Sequence, residues 1–295
     1  MAKEKKELRV GIVQATPYLF DVNKTVDKAI KLISKASKNN VELLVFPQSF
    51  IPCYPYAINI GSEFGLSTNY GQDNKLKFYK NSISLGDANM SKLLNKCKEN
   101  NINISIGISE YDYENNQLYN TNLLIDKKGE IILNSKNNNL VGLESILWQE
   151  SKEQQQYTAK LDQCNVGILN NFENYNPLAR SYMYLNNIEI YCAPNSNDSL
   201  EWQEAIQFIA KESKSFVLSA CQYSYIEDKE DKLTLSSISN KKILRGGSAI
   251  IDPKGNYIIG PIYDKEALLI ANISLEEVIE ARLDINPKDM INKVI

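Results

Sequence analysis

Apolar and β-branched residues alternate with others over residues 8–14, which predicts a strand. Over residues 23–38, Val26, Ala29, Ile30 and Ile33 fall at helical spacing, with lysines on the opposite face. Residues 41–46 form a continuous apolar run, the mark of a strand buried on both faces. The run ends in Pro47-Gln48. A stretch rich in Gly, Pro, Tyr and Asn, residues 49–74, then predicts a long loop, functional or mobile. Residues 87–100 place Met90, Leu93, Leu94 and Cys97 on one helical face. Strands are expected at 102–109, 118–126 and 130–133.

The second half repeats this order. Strands are expected at 164–169, 188–193, 216–220, 248–252, 256–259 and 267–272, with helices at 176–185, 200–211 and 275–282. Ser274, with Glu277 three residues on, reads as a capping box for the last helix. Ile125-Asp126-Lys127-Lys128-Gly129 recurs as Ile251-Asp252-Pro253-Lys254-Gly255. Both read as tight hairpins whose glycine takes a positive φ. Each half runs strand, helix, strand, helix, strand, hairpin. Two such halves predict an α/β fold in which two sheets face each other with helices outside.

Composition narrows the function. The 295 residues carry a net charge of −3 and contain no histidine. The balance lacks the basic footprint of a nucleic-acid binder. The one basic cluster, Lys3, Lys5 and Lys6, alternates with glutamates and reads as a solvated terminus. So does the EDKEDK run at 227–232 as a solvated insertion. The absence of histidine excludes Ser-His-Asp and Cys-His catalysis and most zinc sites. No Walker loop or dinucleotide glycine motif appears, so neither a metal nor a cofactor is expected. Five cysteines with no close pair suggest a reducing, cytoplasmic compartment. No apolar run reaches the roughly 20 residues of a membrane span, and the starting MAKEKKELRV is too charged for a signal peptide.

The most informative stretch is GILNNFENYNPLAR, residues 167–180. An apolar strand ends abruptly, and a helix start follows. Many α/β enzymes display a nucleophile at such a turn. Here the turn offers Asn170 and Asn171, carboxamides that attack nothing at neutral pH.

Several motifs, in order, resemble the nitrilase (carbon–nitrogen hydrolase) superfamily, and the nitrilase branch above all. They are VGIVQATP, FPQSFIPCYP, GEIILNSKNNNLVGLESILWQE, NNFENYNPLAR, IYCAPNSNDSLEWQ, FVLSACQY and GGSAIIDPKGNYIIGP. The resemblance spans nearly the whole chain. It implies one domain, residues 1–295, folded as a four-layer α-β-β-α sandwich of two stacked mixed sheets with an internal pseudo-two-fold. In such enzymes a cysteine attacks a nitrile or amide carbon, a glutamate is the base, a lysine stabilises charge and a second glutamate assists. The resemblance puts the base at Gln48, the lysine at Asn137, the nucleophile at Asn171 and the second glutamate at Glu144. A one-residue slip would let Lys136 replace Asn137. Cys53, Tyr54, Lys136, Phe172, Glu173, Cys192 and Trp202 are the expected pocket lining.

Gln48 cannot take a proton, Asn137 carries no charge, and Asn171 is no nucleophile. Residues that act as one catalytic unit fail together. Cys164 lies seven residues before Asn171, about 23 Å along a strand, too far to substitute. The expectation is a nitrilase-fold pseudoenzyme that binds a small nitrile-, amide- or carboxylate-like ligand. The resemblance further implies a homo-oligomer, a dimer or larger, built through outer helices, with an active paralogue as another partner. Two other readings stay open: an active hydrolase using Glu144 and Lys136, and a structural subunit with no ligand.

Overall fold

Leu8, Val10 and Ile12 point to one side of β1 (Glu7–Gln14) and enter the core between two sheets. Val13 points to the other side, beneath the first helices. The computed structural model describes residues 7–55, 62–63, 66–67, 69–226 and 241–294. The basic cluster near the start and the acidic run at 227–232 lie outside them.

Helix α1 (Val22–Ser37) starts at Asp21, whose carboxylate accepts the Lys24 N–H, and buries Val26, Ala29 and Ile33. The apolar run at 41–46 narrows to β2 (Leu43–Val45), because the chain turns out of the sheet once Phe46 N has bonded Ser105 O. Two short strands, β3 (Ser62–Glu63) and β4 (Leu66–Ser67), pair with each other. The loop expected over 49–74 ends early, because α2 (Asn69–Lys80) begins inside it. That helix is mostly polar and shows no strong apolar period. It is anchored by Phe78, which packs edge-on against Trp148.

Helix α3 (Ala88–Asn100) is capped by Asp87 as its spacing suggests. Strands β5 (Asn103–Asp112), β6 (Gln117–Ile125) and β7 (Ile131–Lys136) form an antiparallel meander. Helix α4 (Leu143–Leu147) and β8 (Thr158–Lys160), too short for a pattern in the sequence, lead to the second half.

There, β9 (Asn165–Ile168) precedes a 3-10 turn (Asn171–Tyr175) and α5 (Pro177–Leu185). Next come β10 (Ile190–Cys192), α6 (Leu200–Ser213), β11 (Phe216–Ser219), β12 (Tyr223–Ile226), β13 (Lys241–Ile251), β14 (Tyr257–Tyr263) and β15 (Ala267–Ser274). Helices α7 (Glu276–Arg282) and α8 (Pro287–Asn292) follow. The expected Ser274 cap is not formed: Ser274 is still paired with Glu7 in the sheet, and α7 starts from Leu275 without a side-chain cap.

One sheet runs β15-β1-β2-β5-β6-β7, and the other β12-β13-β11-β10-β9-β8, with β14 beside β13. The halves repeat the same pairing. β1, β2 and β5 are parallel neighbours, as are β9, β10 and β11, and each trio continues into an antiparallel hairpin. In both hairpins the aspartate accepts two following N–H groups, and Gly129 and Gly255 sit at φ 81° and 85°. Helices α1 and α3 cover the first sheet, α5 and α6 the second, and a shared core fills the space between the sheets. The result is the four-layer sandwich expected from the sequence.

Candidate functional site

Three donors, two from the segment after β2 and one from the turn after β9, meet on one oxygen. Glu144 Oε1 accepts from Gln48 Nε2 at 3.0 Å, from the Tyr54 hydroxyl at 3.0 Å and from Asn171 Nδ2 at 3.1 Å. Oε2 accepts the Val141 N–H at 3.3 Å. Four donors suit an ionised, acceptor-only carboxylate. Burial pushes the Glu144 pKa above the ordinary carboxylate value, and the four hydrogen bonds oppose that rise.

Gln48 leaves the C-terminal end of β2 and crosses Gly107 of β5. A Cβ at Gly107 would sit 2.2 Å from Ser49 N and 2.7 Å from the Gln48 carbonyl carbon, so glycine is required there. The chain stays on β5 through Ile51, whose carbonyl accepts the Ser109 N–H at 2.7 Å.

Asn171 follows β9 in the left-handed region, at φ 35°, which asparagine enters more readily than most residues. Asn174 holds this turn by donating to Leu169 O and Asn171 O while accepting the Tyr191 hydroxyl. Arg180 Nη1 donates to Asn174 O and its Nε to Glu212. Asn176 caps α5, with Pro177 at its first position.

Glu173 links this turn to the end of β7. It accepts the Asn170 N–H on Oε2 at 3.1 Å and the Asn138 N–H on Oε1 at 3.2 Å. It is completely buried, and burial pushes its pKa up to about 7. Asn137 is also completely buried. Its N–H donates to Asn120 O, and its Oδ1 accepts the Asn139 N–H, both at 2.8 Å.

Three expected lining residues lie elsewhere. Lys136 occupies the face of β7 opposite Asn137, 3.9 Å from Glu110 Oε1 and 4.3 Å from the Tyr119 ring centre, because side chains alternate along the strand. Cys192 sits in the core between the sheets, where burial holds its thiol pKa far above the ordinary value. Trp202 is buried between α6 and the second sheet and donates to Ser219 Oγ. Cys53 and Tyr54 border the site in a satellite cluster with Phe78 and Trp148, and burial raises the Cys53 pKa to about 12. Phe172 is partly exposed beside Tyr175. No disulfide joins the five cysteines, and all are buried.

Sequence reasoning missed one element of the site. Asn120, Asn122 and Ser135 are completely buried, and the register puts Asn120 beside Ser109 and Asn122 beside Gly107 and Ser135. Their signal was present: two asparagines two apart, in a strand that ends in Leu123, Leu124 and Ile125, mark one polar stripe on a buried face. Among the described residues, no group of three or more His, Cys, Asp or Glu could hold a metal ion. No helix there is long and apolar enough to cross a membrane.

The family model described as carbon–nitrogen hydrolase matches residues 9–283, so the chain belongs to the carbon–nitrogen hydrolase family. It is 30% identical over 282 residues to an aliphatic nitrilase of Sinorhizobium fredii (strain HH103), covering 94% of this chain and 90% of the relative. It is 32% identical over 285 residues to nitrilase 2 of Arabidopsis thaliana, covering 94% and 83%. Among solved structures, a carbon–nitrogen hydrolase from Helicobacter pylori G27 aligns with TM-score 0.73 at 17% identity, covering 98% of each chain. A double mutant of the amidase from Nesterenkonia sp. AN1, in complex with acrylamide, aligns with TM-score 0.68 at 16% identity, covering 100% of each chain. These two likenesses show the shared fold.

Proposed function

We propose that this protein has the carbon–nitrogen hydrolase fold without its hydrolysis, and that the family pocket serves to hold a small polar ligand. The observation that carries this reading is the environment of Glu144. Its carboxylate is surrounded by the two carboxamides Gln48 and Asn171 and the phenol of Tyr54. None of these three is a nucleophile at neutral pH, and hydrolysis through an enzyme-bound acyl group needs an activated one. Gln48 cannot accept a proton, so the base expected at that position is missing too. Lys136 and Cys192, which an unconventional hydrolase would need, are directed to Glu110 and into the core. The Nesterenkonia double mutant, with a glutamate changed to glutamine and a cysteine to alanine, was solved with acrylamide bound. A doubly substituted protein of this fold thus forms a complex with an amide, which supports ligand binding without turnover here.

The test is ammonia release from a panel of nitriles and amides. The native protein is expected to match a heat-denatured control. The triple variant Gln48→Glu, Asn137→Lys, Asn171→Cys is expected to recover measurable turnover. Native turnover above the control would overturn the reading and return attention to Glu144 as a working base.

The reading extends to assembly and compartment. Leu178, Tyr182, Leu200 and Phe208 leave apolar surface exposed on α5 and α6, which suits packing against a second copy or an active paralogue. Five cysteines without a disulfide suit a reducing cytoplasm.

A further inference from the structure

Strand β7 is the last strand of the first sheet, so one row of its backbone groups has no ladder partner. Successive residues of a strand turn their N–H and C=O groups to opposite sides. The Asn137 N–H bonds Asn120 O on β6, whereas the Lys136 N–H turns away, to Gln155 Oε1 at 2.9 Å. The N–H and C=O of Asn134 therefore also turn away from β6. Neither has a partner among the described residues.

Part of the place of a further strand is taken by a side chain. Gln155 Oε1 stands where the carbonyl of a neighbouring strand would, and its Nε2 is held by Glu153 O at 3.0 Å. Beside it, a cavity of about 250 Å³ opens between β7 and the segment before β8. It is lined by residues 131–134, Lys136 and residues 153–156, and it has the volume of about eight waters. Among the lining residues, Asn134 carries a buried Oδ1 with no partner among the described residues.

Side chains of paired residues share one face of a sheet. Asn134, Lys136, Thr121 and Glu110 share the outer face, where the Lys136 ammonium lies 4.3 Å from the Tyr119 ring centre. Burial raises the Glu110 pKa, and the charges of Asp112 and Glu153 add to that rise. Lys136, 3.9 Å from Glu110 Oε1, is the one cation among the described residues that opposes it. The face beside the cavity is thus short of positive charge.

We infer that β7 takes an extended, basic peptide segment as an added strand in this cavity. In an antiparallel register one peptide residue exchanges both backbone hydrogen bonds with Asn134. Its side chain then lies on the outer face beside Asn134. A lysine at that place donates to Asn134 Oδ1 and offsets the charges of Glu110 and Glu153. A free amine would match the charge and leave the backbone row of Asn134 unpaired.

Titration calorimetry on the full chain at low salt would compare three probes: acetyl-Thr-Lys-Thr-amide, the same peptide N-methylated at its lysine, and acetyl-Thr-Glu-Thr-amide. The lysine peptide is expected to saturate the protein at millimolar concentration or below. Its N-methyl form lacks the N–H that Asn134 O accepts and should bind at least about tenfold more weakly. The glutamate peptide should weaken by about tenfold or more, because it sets like charges together. Glu153→Gln should weaken the lysine peptide about threefold and flatten its salt dependence. Asn134→Pro removes the outward N–H and leaves the bonds to β6 in place, as proline does on edge strands. It should weaken the lysine peptide by about tenfold or more, with cooperative thermal unfolding showing that the variant is folded. No saturation by the lysine peptide overturns the inference. So does equal binding of the N-methyl or the glutamate peptide to the native chain, which needs no variant to fold. Undiminished binding by Glu153→Gln or by folded Asn134→Pro overturns it as well.

Discussion

Glu173 is a buried carboxyl with no basic partner among the described residues, held instead by two backbone N–H groups. Its ordinary pKa of 4.5 rises to about 7 in the fold, with burial as the leading cause. Between those values the folded protein keeps a proton that the unfolded chain has released. The stability from this group is therefore complete below pH 4.5 and is lost as pH rises through about 7. The loss is on the order of 3 kcal/mol. Glu173→Gln cannot ionise and keeps only one acceptor oxygen for two N–H groups. It should unfold more easily than the native protein at pH 4.5, by about 1 kcal/mol. Its stability should then stay level to pH 7 where the native protein weakens. Urea titrations at several pH values would check this, and parallel slopes for the two proteins would refute it.

The crossing of the Gln48 segment over β5 depends on a missing side chain. Gly107→Ala places a carbon against three backbone atoms, at 2.2, 2.6 and 2.7 Å, none of which belongs to a flexible side chain. The segment from Pro47 to Ser49 must lift, at a cost of about 1–3 kcal/mol or more. Chemical denaturation should register that loss. Calorimetry should register weaker ligand binding as well, because Gln48 would be withdrawn from Glu144. This dependence was not legible in the sequence, where Gly107 is one glycine in a strand that alternates isoleucines with small and polar residues. Periodic elements were legible: β1, α1, α3 and both aspartate-glycine hairpins appear where their patterns place them. Helix α2 was not, because its polar sequence is held by Phe78 and Trp148 across the chain rather than by a period of its own. Lys136 and Asn137 are adjacent in sequence, and strand alternation sends them to opposite faces. The lysine goes to Glu110 and the asparagine to the buried polar stripe.

Across the whole molecule, the repeated half explains the architecture, and the assembly proposed above runs through the outer helices. Leu178 and Phe208 are 79% and 57% exposed, on α5 and α6. Replacing both with aspartate should convert a dimer or larger species to monomer in analytical ultracentrifugation without lowering thermal stability below that of the separated subunits. A native protein that sediments as a monomer at micromolar concentration would remove the proposal. The turn at Asn171 was legible as a feature because an abrupt end to an apolar strand is a local signal. Its convergence with Gln48, Tyr54 and Glu144 is set by sheet topology, which a linear reading supplies only through resemblance.

Strand β15 leaves the second half and pairs with β1 along its full length, from Glu7 with Ser274 to Gln14 with Ala267. On the ribosome this means that the first sheet waits. Its strand β1 emerges early, yet the neighbour that covers its edge is made about 250 residues later, roughly ten to fifty seconds at ordinary elongation rates. During that interval an apolar strand presents an unpaired edge, open to wrong partners. The first half therefore has no finished state of its own while synthesis continues, and completion of the two halves becomes a single late event.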